Sequence, residues 1–500
     1  MQSIDVIYLH PSKHAANYRD YTQVGSASPY MLMPVGVPGM INLLREHGYR
    51  VVGLNVPMEG LINAEFDLGD WLKSFENVRL IAIDLHWYEH SFGALDVARV
   101  CKQTLPNIPV VLGGLTSSYF AEEICSEFPY VDYIIRGDGE IPLLKLTEWL
   151  CGNENTHLQE IPNLVYRNGD QIVINEPTYC ATQTDLDSLN FADMDFLIHA
   201  DQLAEVSYSI SEKVEMNGRA RLKGHWLTIG RGCTYNCSYC GGGYSAQKTI
   251  TGRQGIIQRS PERVVDDLER LVNAGYQQVS LNLDPAIMGK EYWSKLFSEM
   301  RQRQVKIGFY LEHFHIPSDE FVQDMLTTLD IPNSELAFSP LSGSEQVRRL
   351  NGKHYTNLQL LNLIHELRPT GMAIFIYFSM NIPGEDPKTF PHTLSLAGEI
   401  SHIYPPQRLR MINMVHSLDP YSPISRQPQK YRQKVQFKTF KDYYTYCQET
   451  PGLRKDLPLG AWRGFRSISG APEDLEKMAH QWNLFSRRRP THCYPVPRTW

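Results

Sequence analysis

The sequence predicts two parallel α/β units in tandem, and three observations predict them. Short apolar, β-rich runs alternate with amphipathic stretches through residues 1–150; the same alternation resumes at Trp226; and a stretch without clean periodicity lies between. With 500 residues, 42% of them apolar, the chain has core enough for two or three domains, and no apolar run approaches a membrane span.

The first unit reads as Val6–Leu9, then a helix over Met40–His47; Val51–Val56; Leu80–Ile83, then Ala94–Thr104; Val110–Leu112, then Ala121–Phe128; and Val131–Ile135, then Ile141–Leu150. Strands spaced and linked in this way pair in parallel through right-handed crossovers, giving a doubly wound, Rossmann-like sheet over residues 1–150. Such sheets bind ligands at the carboxyl ends of their strands. The loops there hold Pro34 and Gly36, then His86, Trp87 and Tyr88, then Gly113, Gly114, Thr116, Ser117 and Ser118, and last Gly137, Gly139 and Glu140. Gly113 and Gly114 clear space for a bulky ligand, and Ser117 and Ser118 offer it hydroxyls.

Residues 151–215 read as a linker with a little β structure, a hairpin over Leu164–Ile174 turning at Asn168-Gly169. A second unit over 216–420 begins with strand Trp226–Ile229 and a cysteine-rich loop. A helix then opens at Ser260 as N-cap, with Pro261 at its first position, and stops at Gly275. Strands Gln278–Leu283, Val305–Leu311, Glu335–Phe338 and Ala373–Met380 alternate with helices Lys290–Arg303, Ser318–Leu329 and Leu358–Leu367. That repeat predicts a full or partial (β/α) barrel with its chemistry at the strands' carboxyl ends. Residues 421–500, rich in Pro, Arg and aromatics, carry no motif of their own.

The cysteine loop is Gly-Arg-Gly-Cys-Thr-Tyr-Asn-Cys-Ser-Tyr-Cys-Gly-Gly-Gly, with Cys233, Cys237 and Cys240 spaced C-x3-C-x2-C. Such a loop can wrap three irons of a [4Fe–4S] cube and leave the fourth iron open. A structural zinc site closes four ligands, commonly from two pairs, and no second pair lies nearby. The other six cysteines stand singly, which suits a reducing compartment. The N-terminus carries no basic segment or small-residue cleavage site, so a cytoplasmic enzyme is expected. A formal charge of −7 argues against a broad nucleic-acid footprint.

The loop resembles that of the radical SAM superfamily, in which S-adenosylmethionine chelates the open iron. The ordered loops of the first unit resemble the cobalamin-binding domain that precedes the radical SAM core in one subfamily. The resemblance implies a [4Fe–4S] cluster, S-adenosylmethionine and cobalamin as cofactors. For S-adenosylmethionine it implies contacts from Tyr239, Gly241 and Gly242, and from groups at successive strand ends: Asn282 and Asp284, Glu312, Ser339, and Arg348 or Arg349 toward the methionyl carboxylate. The Pro-Gly-Glu turn at Pro383-Gly384-Glu385 also matches the subfamily. The family's histidine-ligated members carry Asp-x-His-x-x-Gly in the first strand-to-helix loop; here Asp84-Leu85-His86 copies only its start, after the third strand. His86 is therefore read as lining the pocket, and Trp87 or Tyr88 as filling cobalt's lower face.

The activity this implies is carbon methylation, through a 5′-deoxyadenosyl radical and methylcobalamin. The substrate expected is a small metabolite or a biosynthetic intermediate, free or carrier-tethered, and the reductant an external donor of the flavodoxin or ferredoxin type. The same cofactors also serve cyclisation, ring contraction or epimerisation. A third reading is a non-catalytic cobalamin sensor with a structural cluster.

Overall fold

The computed structural model describes residues 2–18, 31–206, 222–449 and 464–496, without 469 and 472. Its first sheet has seven strands: β1 (Val6–His10), β2 (Val51–Asn55), β3 (Leu80–Asp84), β4 (Val110–Gly113), β5 (Tyr133–Ile135), β6 (Leu164–Asn168) and β7 (Gln171–Ile174), in the order β2-β1-β3-β4-β5-β6-β7. Alternate residues serve opposite faces, as the strand period demands. Val6, Leu80, Ala82 and Val111 join one core, under the helices Val37–Glu46 and Glu140–Leu150. Ile7, Ile81, Ile83 and Leu112 join the other, with the helix Ser91–Thr104.

The hairpin read as part of the linker belongs to this sheet. β6 pairs antiparallel with β5, Tyr133 opposite Tyr166, so the first unit's sheet runs on to Ile174. Left bare, β5 would be an edge strand with unpaired backbone groups. The hairpin covers it, and local periodicity does not say which strand a hairpin will join.

The second sheet is an open six-stranded parallel one, a partial barrel. Its strands β8 (Gly224–Leu227), β11 (Gln278–Leu281), β12 (Gly308–His313), β13 (Glu335–Leu341), β14 (Ala373–Met380) and β15 (Leu409–Val415) lie in chain order. β15 goes beyond the strands predicted from sequence because Arg410 and Asn413 interrupt its apolar run. The Arg410 charge is buried against Glu335, Nε to Oε1 at 2.8 Å. Between β8 and β11, the segments β9 (Gly230–Cys233) and β10 (Gly255–Gln258) pair antiparallel and bracket the cysteine loop.

The C-terminal region packs against both units. In the helix Phe440–Glu449, Phe440 packs on Phe120 and Phe128, and Tyr443 on Tyr88, at ring distances of 5.5–5.8 Å. In the helix Asp474–Arg487, fully buried Trp482 meets Phe378 of β14 at 5.6 Å, and its indole N–H donates to the Tyr494 carbonyl. Trp482→Ala is expected to cost about 3–5 kcal/mol, the usual penalty for deleting a buried aromatic. Urea unfolding followed by circular dichroism measures it. Among the described residues, no helix is long and apolar enough to cross a membrane.

Candidate active site

The cysteine loop leaves the sheet through a tight hairpin. Gly232 has φ +97°, and a Cβ there would run into the Gly255 carbonyl, so only glycine closes this turn. Cys233, Cys237 and Cys240 are all partly exposed. The Tyr235 N–H donates to Cys233 Sγ at 3.3 Å and the Gly242 N–H to Cys240 Sγ at 3.4 Å, bonds that favour thiolates. Gly352, with φ +91°, lays backbone directly on Cys237. Burial pushes the Cys240 thiol up to about 12, and the neighbouring charges of Asp419 and Cys237 push the same way. A thiol held in this way keeps its proton until a cationic centre replaces it. Three thiols with N–H donors aimed at two of the sulfurs fit a [4Fe–4S] cluster with one open iron.

Around the loop stand the strand ends of the barrel. Tyr239 stacks on His416 at 4.7 Å, and the His416 ring bonds Ser379 Oγ at 3.0 Å. The Gly241 N–H donates to Asp419 at 3.0 Å, and a side chain on Gly241 would strike the Pro420 carbonyl. Burial lifts the Asp419 carboxyl to about 6. Glu312 ends β12 on the open side of the sheet, where its carboxylate accepts from the Tyr310 hydroxyl at 2.9 Å; Tyr310 in turn bonds Tyr377 at 3.0 Å. Desolvation raises the Glu312 pKa. Ser339 is half-buried in β13, where the pairing with β14 becomes irregular between Phe338 and Leu341.

Four expected S-adenosylmethionine contacts stand differently. Arg348 is fully buried and donates to the carbonyls of Pro340, Tyr355 and Ser342 and to Asn357, so its guanidinium braces the turn. Arg349 is exposed and pairs with Glu345. Asp284 accepts from the Ala286 and Phe314 N–H groups and bonds His313, which occupies its carboxylate. Asn282 ties Ile229 to Gly230 through its amide, although it also reaches a cavity wall. Asn282 and Asp284 follow the strand Gln278–Leu281 as expected, whereas Arg348 and Arg349 lie in the helix Glu345–Leu350; sequence could not tell which way these polar atoms were already committed.

That cavity, of about 380 Å³, lies between the two units. Pro34, Gly36, His86, Trp87, Gly113, Gly114, Gly137 and Gly139 line it from the first unit, and Arg231, Gly232, Gly242 and Arg253 from the second. A Cβ at Gly113 would point into open space, which is room left for a ligand. At Gly114, with φ +111°, a Cβ would strike the His86 backbone. The glycine-rich, mostly apolar lining fits a planar macrocycle such as cobalamin. Burial holds the His86 pKa down at about 4, so the ring is neutral near pH 7.

Other expected cobalamin residues are engaged elsewhere. Tyr88 packs on Tyr443 and is not part of the cavity wall. The Thr116 hydroxyl donates to the His86 carbonyl, and those of Ser117 and Ser118 to the Gly114 carbonyl, so they fix the loop. Glu140, 2% exposed, faces Arg231 of the cysteine hairpin in an ion pair. Arg231 also bonds Asp138 at 3.1 Å, and Arg253 bonds the other Asp138 oxygen. Sequence reading missed this bridge. Arg231 stands in the quoted loop and Asp138 beside Gly137, but only folding sets them opposite each other.

The Pro-Gly-Glu turn carries a titratable strut. Glu385 is buried, and one of its oxygens has no hydrogen-bond partner, so burial pushes its carboxyl up to about 7. A raised carboxyl pKa stabilises the protonated fold. The contribution is complete below about 4.5 and is lost as pH rises through about 7, a loss of about 3 kcal/mol at 1.36 kcal/mol per unit. Glu385→Gln is expected to flatten this part of the stability profile, measured as urea midpoints at pH 5 and pH 8.

Two family models match the chain. Residues 22–147 match the B12 binding domain and residues 227–397 the radical SAM superfamily. The tRNA-2-methylthio-N(6)-dimethylallyladenosine synthase of Clostridium botulinum (strain Okra / Type B1) is 23% identical over 323 residues, 62% of this chain and 60% of that protein. The anaerobic magnesium-protoporphyrin IX monomethyl ester cyclase of Cereibacter sphaeroides is 24% identical over 54% of this chain and 38% of its own. The hopanoid C-3 methylase of Methylococcus capsulatus is 22% identical over 56% and 48%. The chain thus spans 60% or less of these relatives' lengths. Among solved structures, the radical S-adenosylmethionine methyltransferase TsrM from Kitasatospora setae superposes with a TM-score of 0.62 at 14% identity, covering 88% of this chain and 79% of that one. The cobalamin-dependent S-adenosylmethionine radical enzyme OxsB gives 0.52 at 14%, covering 79% and 51%.

Proposed function

We propose a reaction for this chain from the premise that it belongs to the radical SAM enzymes that carry an N-terminal B12-binding domain: it methylates an unactivated carbon of a small metabolite or biosynthetic intermediate. Its cofactors are a [4Fe–4S] cluster, S-adenosylmethionine and cobalamin. The observation that carries the reading is Gly242. It lies two residues beyond Cys240 and lines the cavity, and a Cβ placed on it would meet both Leu115 of the cavity wall, at 3.7 Å, and Cys240 Sγ, at 3.9 Å. The cobalamin cavity and the cluster loop therefore share one wall.

When bound, these groups supply the electron, the radical source and the methyl carrier. The chain's own residues do the rest. Cys233, Cys237 and Cys240 hold the cluster; Tyr239, with His416 behind it, and Glu312 position S-adenosylmethionine; and the glycines of the first unit admit the corrin. Arg231, with Asp138 and Glu140, holds the two units in register, which keeps water from the space between them. An external flavodoxin- or ferredoxin-type protein delivers the electron.

The test is anaerobic turnover with a low-potential reductant, cobalamin and candidate substrates, read by mass spectrometry. Methylated product together with S-adenosylhomocysteine supports the proposal. 5′-Deoxyadenosine with an unmethylated, rearranged product supports cyclisation instead, a reading favoured by the similarity to the magnesium-protoporphyrin cyclase. Absence of any S-adenosylmethionine cleavage overturns both.

A further inference from the structure

A second set of metal-ligating side chains lies apart from the cysteines. His10 ends β1, Asp84 ends β3, and His90 sits in the turn that precedes the helix Ser91–Thr104; all three are buried, at 0%, 5% and 0% exposure. One ligand atom from each lies within 4.8 Å of the others. His10 Nδ1 is 3.0 and 3.2 Å from the two Asp84 oxygens, and the His10 and His90 rings meet edge to face at 5.1 Å. Tyr8 donates its hydroxyl to Asp84 at 2.6 Å.

We propose that His10, Asp84 and His90 form a binding site for a divalent transition metal of the zinc type, independent of the cluster. Two ligands of a tetrahedral ion, each about 2.0–2.1 Å from it, stand about 3.3 Å apart. The His10–Asp84 separation is already close to that, and His90 needs to close in by about 1.5 Å at most. Two imidazoles and one carboxylate suit Zn²⁺ or Fe²⁺ rather than Mg²⁺ or Ca²⁺. Tyr8 supplies the outer hydrogen bond that orients a ligating carboxylate. A cation also offsets the cost of keeping the Asp84 charge away from water.

The site has a route in. Asp84 and Tyr8 line the cavity between the units, whereas His10 and His90 lie behind that wall. A metal therefore enters through the cavity, and bound cobalamin closes the route. The site ties β1, β3 and the turn at His90 together beneath the corrin pocket. It rests on these residues alone and stands whether or not the reaction is a methylation.

The test uses the full-length protein with its cluster reconstituted, dialysed against Zn²⁺ and then against buffer, with and without cobalamin. We expect about one Zn per chain by mass spectrometry, the stoichiometry of a single closed site. Its X-ray absorption should show an N/O shell with imidazole and no sulfur. Tyr8→Phe should weaken Zn²⁺ binding roughly 10–100-fold, as loss of an outer partner does, and His90→Gln should remove the zinc with iron content retained. EDTA should strip zinc quickly from the cobalamin-free protein and slowly from the loaded one. A zinc–sulfur shell, which places the ion on the cysteines, overturns the proposal. So does wild-type protein that emerges without zinc, or zinc unchanged in both variants. The wild-type spectrum decides even where a variant fails to fold.

Discussion

Replacing Cys233, Cys237 and Cys240 together by Ala abolishes S-adenosylmethionine cleavage and removes the visible absorption of the iron–sulfur cluster. The expected loss is total rather than graded, because no other cysteine lies in the loop: the remaining six are at Cys101, Cys125, Cys151, Cys180, Cys447 and Cys493. Burial keeps Cys101 and Cys447 thiols firmly protonated, well above the ordinary range, so neither offers a ready thiolate. The fold should survive. All three cysteines are partly exposed, and among the described residues none of them belongs to a buried hydrophobic cluster. Iron analysis, electron paramagnetic resonance and 5′-deoxyadenosine formation measure the effect on protein whose circular dichroism is unchanged. Retained cleavage in the triple variant would sink the assignment.

Arg231→Met is expected to have the next largest effect. The guanidinium is 16% exposed and faces Glu140 and Asp138, whose side chains are 1% and 7% exposed. Asp138 keeps Arg253 as a partner, whereas Glu140 loses its only ion pair among the described residues. Leaving one buried charge uncompensated typically costs about 3–5 kcal/mol. Here that cost falls on the contact between the two units, so cobalamin retention should fall along with thermal stability. The double variant Arg231→Met with Glu140→Gln should be less damaged than the single one, because the orphaned charge is gone; that non-additivity is the sign of a direct pair. Gel filtration with hydroxocobalamin and differential scanning calorimetry read the two effects. Equal damage in single and double variants would assign the loss to packing instead.

Much of the architecture was legible in the chain. Valine- and isoleucine-rich runs at regular spacing announce buried parallel strands, and β1, β3, β4 and β14 lie where that pattern puts them. The cysteine spacing announces its chemistry because the ligands are neighbours in sequence. Elements whose partners are distant were less legible. β15 hides because Arg410 is paid for by Glu335, 75 residues away. The hairpin β6–β7 looked like a linker because its strand partner is not its neighbour in the chain.

The site divides in the same way. Gly36, Gly113, Gly114, Gly137 and Gly139, singled out from sequence because they lack a side chain, all line the cavity. Arg348, Asp284 and Tyr88 meet other partners here because a polar or aromatic side chain serves whichever neighbour the fold brings to it: carbonyls for Arg348, backbone N–H groups for Asp284, and Tyr443 for Tyr88. Sequence by itself determined the two parallel units, the strand runs along the chain and the C-x3-C-x2-C spacing, since apolar periodicity and short-range spacing are local properties. Tertiary structure alone decided which charges meet across the cavity and which histidines converge on Asp84. Those pairings depend on strand order and on desolvation, and neither is a property of any stretch of chain taken alone.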